Sequence, residues 1–318
     1  MYPMKLTAPL KDYIWGGTRL KTDFGKQTDL EKVAESWELS CHKDGSSIIA
    51  NGEYAGKTLP ELLREQGKSL LGTDCAPFQE FPVLIKLIDA KDNLSVQVHP
   101  DNEYALRVEG EYGKTEMWYI VDCEPGAGLL YGFQRPISRE EFQERIQKNT
   151  LLEVTNRVEV HPGDVFFIQA GTLHAIGSGI LIAEIQQNSN TTYRVYDYGR
   201  IGADGKPRPL HVEKALEVTA LTPPPPPAPT RPEKHEGYTS TRLSSCEYFT
   251  VDALELETGA KLLADEKSFH ALLCLSGEIR LESPRGDLEI RKGESVFLPA
   301  SYGAYTLTGR GKVILTQV

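Results

Sequence analysis

The chain is predicted to be mainly β: two β units joined by a proline-rich connector, with a small helical insertion in the first. Three observations carry this. Short alternating or β-branched apolar runs recur between Gly, Asp and Pro turns along most of the 318 residues. Residues 222–230 read TPPPPPAPT, an extended polyproline stretch that no central strand accommodates. A strand-and-turn pattern also occurs twice. His161-Pro-Gly163-Asp-Val-Phe-Phe-Ile-Gln-Ala-Gly171-Thr-Leu-His174 aligns with Arg291-Lys-Gly293-Glu-Ser-Val-Phe-Leu-Pro-Ala-Ser301-Tyr-Gly-Ala304.

In chain order, residues 1–56 mix short apolar runs with Gly and Asp turns and read as short strands and loops. Thr58 is placed to cap a helix over Leu59 to Gly67, with Pro60 early in it and Gly67 ending it. Phe81 to Asp89 is a buried strand by composition, with Lys86 as its one cation. In Leu94 to His99, Ser95, Gln97 and His99 alternate with Leu94, Val96 and Val98, so Gln97 and His99 share one strand face. Pro100-Asp101-Asn102 then provides turn chemistry and a loop follows. Lys114-Thr115-Glu116 opens a second strand, Met117 to Val121. Pairing beside the first would bring Glu116 to face Gln97 and His99.

Ser138-Arg139-Glu140-Glu141 matches a capping box, and Phe142, Ile146 and Leu151 or Leu152 continue at helical spacing, which puts the insertion at 138–157. Strands return from Val158 to Tyr198, and Pro209 to Val212 begins a further short strand and helix. The expected division is a catalytic unit over 1–221, a linker over 222–237 and a small all-β unit of short strands over 238–318.

Composition narrows the function. With 40% apolar and 25% charged residues the chain is an ordinary globular sequence, and its net charge of −10 disfavours nucleic acid or an anionic membrane as partner. A small anionic substrate stays compatible, because a few local cations can dominate a pocket. Five scattered cysteines without a C-x-x-C pair suit a reducing compartment, and no secretory signal or membrane span is visible, so a cytoplasmic location is expected. A monomer satisfies the sequence, which says no more of oligomeric state.

The chemistry-bearing groups fall in three runs. Gly163 to His174 resembles the second motif of the cupin superfamily, in which a glycine turn, a strand and a second turn deliver one histidine into a jelly-roll barrel; Gln169 replaces the usual proline. Gln97, His99 and Glu116 resemble the first motif, with Gln97 where many cupins have a histidine. An amide, two imidazoles and a carboxylate suit a divalent metal such as zinc, with room for water or substrate. The second copy holds Ala304 where the first holds His174, and its His270 stands alone, so His270 reads as structural and the C-terminal unit as metal-free. Lys86 and Lys114 read either as acid, base or phosphate-holding lysines with pKa values lowered in a dry interior or, above all for Lys86, as chains snorkelling to the rim. Arg194, among Tyr193, Tyr196 and Asp197, suits a fixed guanidinium that grips an oxyanion.

Taken together, Tyr13-Ile-Trp15-Gly16-Gly17, Ala34-Glu-Ser-Trp37-Glu38, Leu84-Ile-Lys86, Gln97-Val-His99-Pro-Asp101, Lys114-Thr-Glu116, Gly171-Thr-Leu-His174 and Tyr193-Arg194-Val-Tyr-Asp197 resemble type I phosphomannose isomerases of the short bacterial form. The resemblance implies two cupin-type jelly-roll barrel or sandwich domains and one zinc ion per chain, held by Gln97, His99, Glu116 and His174. Lys86, Lys114, Arg194 and Glu184 would line the pocket. It also implies interconversion of mannose 6-phosphate and fructose 6-phosphate through a cis-enediol. Zinc and Arg194 would stabilise the oxyanion, Lys114 or Glu184 would shuttle the proton, and Lys86 with other cations would orient the sugar phosphate. Two rivals remain at this level: a metal-dependent cupin oxygenase, and a non-catalytic sugar-phosphate-binding bicupin.

Overall fold

The computed structural model describes residues 1–202, 205–227 and 229–318. A six-stranded sheet runs in the order Val165–Ile168, Glu116–Cys123, Ile180–Gln187, Val83–Ala90, Glu35–Leu39 and Leu10–Lys11. A five-stranded sheet runs Thr155–Glu159, Gly128–Phe133, His174–Ile176, Val96–Val98 and Tyr193–Tyr196. A ten-stranded sheet takes up the C-terminal residues. The sheets stay open, so the mainly β expectation holds as stacked sandwiches and not as closed barrels.

The period-two pattern explains the stacking. In the central strands of the six-stranded sheet one face presents Val83, Ile85, Leu87, Met117, Tyr119, Leu181, Ala183 and Ile185, packed with Met4, Phe249, Phe269, Phe297 and Ile314 of the C-terminal sheet. Its other face presents Ile88, Ala90, Trp118, Ile120, Ile180 and Ile182 to Leu129, Tyr131 and Ile176 of the five-stranded sheet. Both faces are therefore apolar, and the sheet is buried on each side. The outer face of the five-stranded sheet, Val96, Val98, Phe133, Ala175 and Val195, is covered by Phe142, Ile146 and Ala215 of two helices.

Helix Leu59–Gln66 starts with a complete Thr58–Glu61 capping box and ends at Gly67, as read from sequence. The insertion helix is Arg139–Gln147, and its capping box is only half made. The Ser138 hydroxyl accepts from the Glu141 N–H, while Arg135 and Arg145 take the Glu141 carboxylate. Residues 102–108, read as loop, form a helix capped by the Asp101 carboxylate, which accepts from the Tyr104 N–H at 2.9 Å. That segment has little helical apolar periodicity, so only the cap could have announced it. Helix Val212–Val218 is present, but no strand precedes it at 209–211.

The strands of the C-terminal unit are longer than expected: His270–Glu282 and Gly303–Gln317 carry 13 and 15 residues. Pairing also crosses the expected division. Met4–Thr7 joins the C-terminal sheet through Ser295–Leu298, and a strand at Pro232–His235 begins inside 222–237. Pro223 to Pro227 lie against Tyr131, Phe133, Val158 and Phe166, and Pro224 sits so close to Gly132 that a Cβ there would be 2.2 Å from the ring. Ala228 lies outside the described residues.

His270 is buried, 6% exposed, with Nδ1 2.8 Å from the Tyr305 hydroxyl. Burial lowers its pKa from 6.5 to about 4. The folded state thus binds fewer protons than the unfolded one between those values, and stability falls as pH falls through that window. Between pH 7 and pH 5 this residue alone should remove roughly 2 kcal/mol. Urea titrations at the two pH values should show a smaller pH loss for His270→Gln than for the unaltered chain.

Candidate active site

Two rows of side chains face each other between the five- and six-stranded sheets. Register fixes the first: Trp37 lies opposite Lys86, Lys86 opposite Glu184, and Glu184 opposite Trp118. All four point inward at the end of the apolar stripe. The second row comes from the five-stranded sheet, where His174 and Arg194 flank Gln97 from either side. Glu116 is paired with Gln186 in the six-stranded sheet, so it meets His99 and His174 across the gap between sheets. The side-by-side pairing that the sequence allowed is not formed, yet Glu116 still reaches His99.

The ligand atoms of His99, Glu116 and His174 all lie within 4.8 Å of one another, and the three residues are buried. His99 Nε2 is 3.6 Å from Glu116 Oε2, and His174 Nε2 is 3.5 Å from Oε1. Each imidazole donates Nδ1–H to a backbone carbonyl at 2.9 Å, His99 to Thr191 and His174 to Thr172. That tautomer leaves each Nε2 with its lone pair free to accept: Lys114 Nζ lies 3.1 Å from that of His99, and the Gln97 amide stands near that of His174. Burial, with Lys114 and His174 adding, holds His99 neutral well below its ordinary value, and burial brings His174 down to about 4. Gln97 Nε2 is 3.4 Å from His174 Nε2, and its Oε1 accepts from the Ser95 hydroxyl. Rotating that amide by 180° would present the oxygen in the same place.

Neither Glu116 oxygen accepts a hydrogen bond among the described residues; Lys114 Nζ meets Oε2 at 2.6 Å as an ion pair only. Burial first, then the neighbouring Glu184, raises the Glu116 pKa. A buried carboxylate left in this state is costly. Two neutral imidazoles and that carboxylate form a donor set that fits a divalent cation, which would relieve the cost.

Beside this cluster a cavity of ≈ 270 Å³ is lined by Lys86, Lys114, Arg194 and Arg208 as cations and by Glu35 and Glu184 as acids. The cationic excess suits an anion despite the acidic chain. Lys86 Nζ lies 3.2 Å from Glu184 Oε1, 3.5 Å from Glu35 Oε2 and 5.3 Å from the Trp37 ring centroid. Burial alone would lower its pKa, but Glu35, Glu184 and Glu116 outweigh it and raise the value. Lys86 is neither a snorkelling chain nor a lysine neutralised by a dry interior; it is a locked ammonium. Glu184 shows the converse: burial would raise its pKa, but Lys114 and Lys86 bring it down, so it is a carboxylate. Trp118 Nε1–H donates to its Oε2 at 3.0 Å, and Oε1 accepts no hydrogen bond.

Arg194 lines the cavity, its guanidinium donating to the Ser95 hydroxyl at 3.2 Å and the Pro209 carbonyl at 3.0 Å. Asp197, expected to stand with it, instead binds Arg200 and Arg208. Sequence reading missed Glu35, Arg208, Asn190 and Thr192 as lining groups. The first stands in the Ala34 to Glu38 run and is in register with Lys86's neighbours; nothing local marks Arg208.

Comparison with known proteins agrees with this geometry. Residues 239–318 match the family model described as mannose-6-phosphate isomerase, cupin domain. Residues 4–119 match phosphomannose isomerase type I, catalytic domain. The chain is 39% identical to mannose-6-phosphate isomerase ManA of Bacillus subtilis (strain 168) over 99% of each, and 36% identical to a mannose-6-phosphate isomerase of Streptococcus mutans over 99% of this chain and 98% of that one. The crystal structure of the mannose 6-phosphate isomerase from Bacillus subtilis superposes with a TM-score of 0.93 at 36% identity, covering 100% of both chains. A metal-compatible cupin-type sandwich with a cationic cavity is thus the class. The chain belongs to the type I phosphomannose isomerase family.

Removing Lys86 leaves Glu35 and Glu184 buried without their common cation. Lys86→Met should cost about 3–5 kcal/mol in urea unfolding. Neutralising one acid as well, in Lys86→Met/Glu184→Gln, should recover part of that loss.

Proposed function

We propose that the chain interconverts mannose 6-phosphate and fructose 6-phosphate, with zinc as its metal, held by His99, Glu116, His174 and the Gln97 amide. When bound, the metal supplies a Lewis acid for the substrate's C1–C2 oxygens. Glu184 removes the proton from C2 of the open-chain aldose and returns it to C1. The observation that carries this assignment is its ionised carboxylate at the cavity wall, whose Oε1 takes no hydrogen bond and whose other oxygen is oriented by Trp118. Lys114, 4.0 Å from Glu184 Oε1 and in contact with Glu116, is placed to move the hydroxyl proton between O1 and O2.

Arg194, fixed by Ser95 and Pro209, stabilises the developing enediolate oxygen. Lys86 orients the sugar, and Arg208 binds the phosphate at the other end of the substrate. These cations line one cavity, which supports a dianionic ligand over a neutral sugar. Five free cysteines fit a reducing compartment, and no helix of the described residues is long and apolar enough to cross a membrane.

A coupled assay on mannose 6-phosphate, run with and without a chelator, tests the whole reading; isomerisation that survives complete metal removal sinks it. Glu184→Gln should lower kcat by about 10²–10⁴-fold with metal content unchanged. Arg194→Ala should lower kcat/KM by roughly 10² or more, again with metal in place. Near-normal turnover in either variant removes that residue from its role.

A further inference from the structure

Glu111 lies outside the cavity, between helix Asn102–Val108 and Lys114, with a side chain 18% exposed. Its Oε1 is 2.5 Å from Lys43 Nζ and 3.7 Å from His42 Nε2. Its Oε2 accepts from the Thr191 hydroxyl at 3.3 Å and the Asn190 N–H at 3.5 Å. Asp44, beside Lys43, accepts from the Asn190 side-chain amide at 2.9 Å. The hairpin of Cys41–His42 and Gly45–Ser46 and the Glu111 loop therefore grip the turn at Asn190 and Thr191 from outside.

That turn has two duties on its inner side. Asn190 and Thr192 line the cavity, and the Thr191 carbonyl accepts from His99 Nδ1. The orientation of His99 Nε2 thus depends on where the Thr191 carbonyl stands. Asn190 and Thr191 belong to no helix or strand, so their position is set by side-chain bonds and not by a ladder.

We propose that Glu111 is a positioning residue for the metal site: it fixes the Asn190–Thr192 turn, and through the Thr191 carbonyl it aims His99 Nε2 at the metal position. This rests on the reading of His99 as a metal ligand. Carboxylates and carbonyls behind a ligating histidine set its tautomer and ring orientation, and here the carboxylate acts one residue further out.

Zinc ion alone, titrated against a competing chelator into the metal-free full chain, reads the effect directly. Glu111→Ala should weaken zinc binding roughly tenfold or more, with a raised KM for the sugar phosphate because Asn190 and Thr192 shift with the turn. Glu111→Gln keeps an acceptor for Thr191 and should recover most of the affinity; an equal loss would assign the effect to charge and overturn the turn-holding role. Unchanged zinc affinity and KM in a folded Glu111→Ala of lowered thermal stability would make Glu111 merely structural. Should that variant not fold, Thr191→Val, which removes only the hydroxyl, should weaken zinc in the same direction, and wild-type affinity there overturns the proposal. His99→Ala separates the two levels: zinc binding as tight as wild type would defeat the metal-site reading itself.

Discussion

An apolar gap between two sheets does not tolerate a lone charge, and the site is arranged around that constraint. Lys86, Glu35 and Glu184 come from three adjacent strands of one sheet and are all buried, so Lys86 and Glu184 stay ionised only because opposite charges are in reach. The arrangement has a functional side. The two acids keep Lys86 charged, and Lys86 with Lys114 keeps Glu184 deprotonated, so a carboxylate exists in a place where burial alone would have protonated it. Among the described residues Glu116 has only the Lys114 ammonium in ion-pair contact, and burial with Glu184 still raises its pKa. Its two oxygens, without hydrogen bonds among the described residues, and the imidazole nitrogens of His99 and His174 beside it are the part of the interior whose donor set fits a divalent metal.

Much of this was legible in the sequence, and the reasons are specific. Alternation along Leu94 to His99 and the glycine turn before His174 place ligand side chains on known faces, because a strand allows only two directions. The run at Lys114 to Glu116 had the right residues and the wrong partner strand. Parity gives the face a side chain points to but says nothing of which sheet stands opposite, and that is decided by connections read only in three dimensions. The Lys86 charge state also escaped the sequence. A lone lysine in an apolar strand reads as depressed, whereas Glu35 and Glu184 lie roughly fifty and one hundred residues away in the chain and adjoin it only through strand register. Arg208 and the Asn190–Thr192 turn sit on irregular segments, where no period exists to read.

The internal echo sharpens what became of the second copy. Its backbone repeats the first closely: the Asp164 carboxylate accepts from the His161 N–H at 2.8 Å, as the Glu294 carboxylate does from the Arg291 N–H at 2.8 Å. Gly171 and Ser301 both hold positive φ, at 89° and 59°, though serine adopts it at a cost that glycine does not bear. The ligand register repeats too. Glu116 lies opposite Ile168, and His270 lies opposite Leu298, the equivalent strand position of the second copy. His270 therefore stands where the first copy has Glu116, and Ala304 stands where it has His174.

The second position is closed by packing: the His270 ring bonds to Tyr305, and burial outweighs the opposing pull of Gln317, Asp265 and Asp252 on its pKa. What the second copy kept is its turn, put to another use. Gly163 has open space around it, whereas a Cβ on Gly293 would lie 2.4 Å from the Phe24 carbonyl oxygen. The Gly293 carbonyl accepts from Lys26, and the Ser295 hydroxyl donates to the Glu38 carbonyl at 2.8 Å. Lys26 in turn meets the buried Glu38 carboxylate at 2.6 Å. Glu38 lies on the same strand as Glu35 and Trp37, the strand that flanks Lys86. The copy without a counterpart of His174 thus contacts the first site from behind, through the strand whose inner residues hold the locked ammonium.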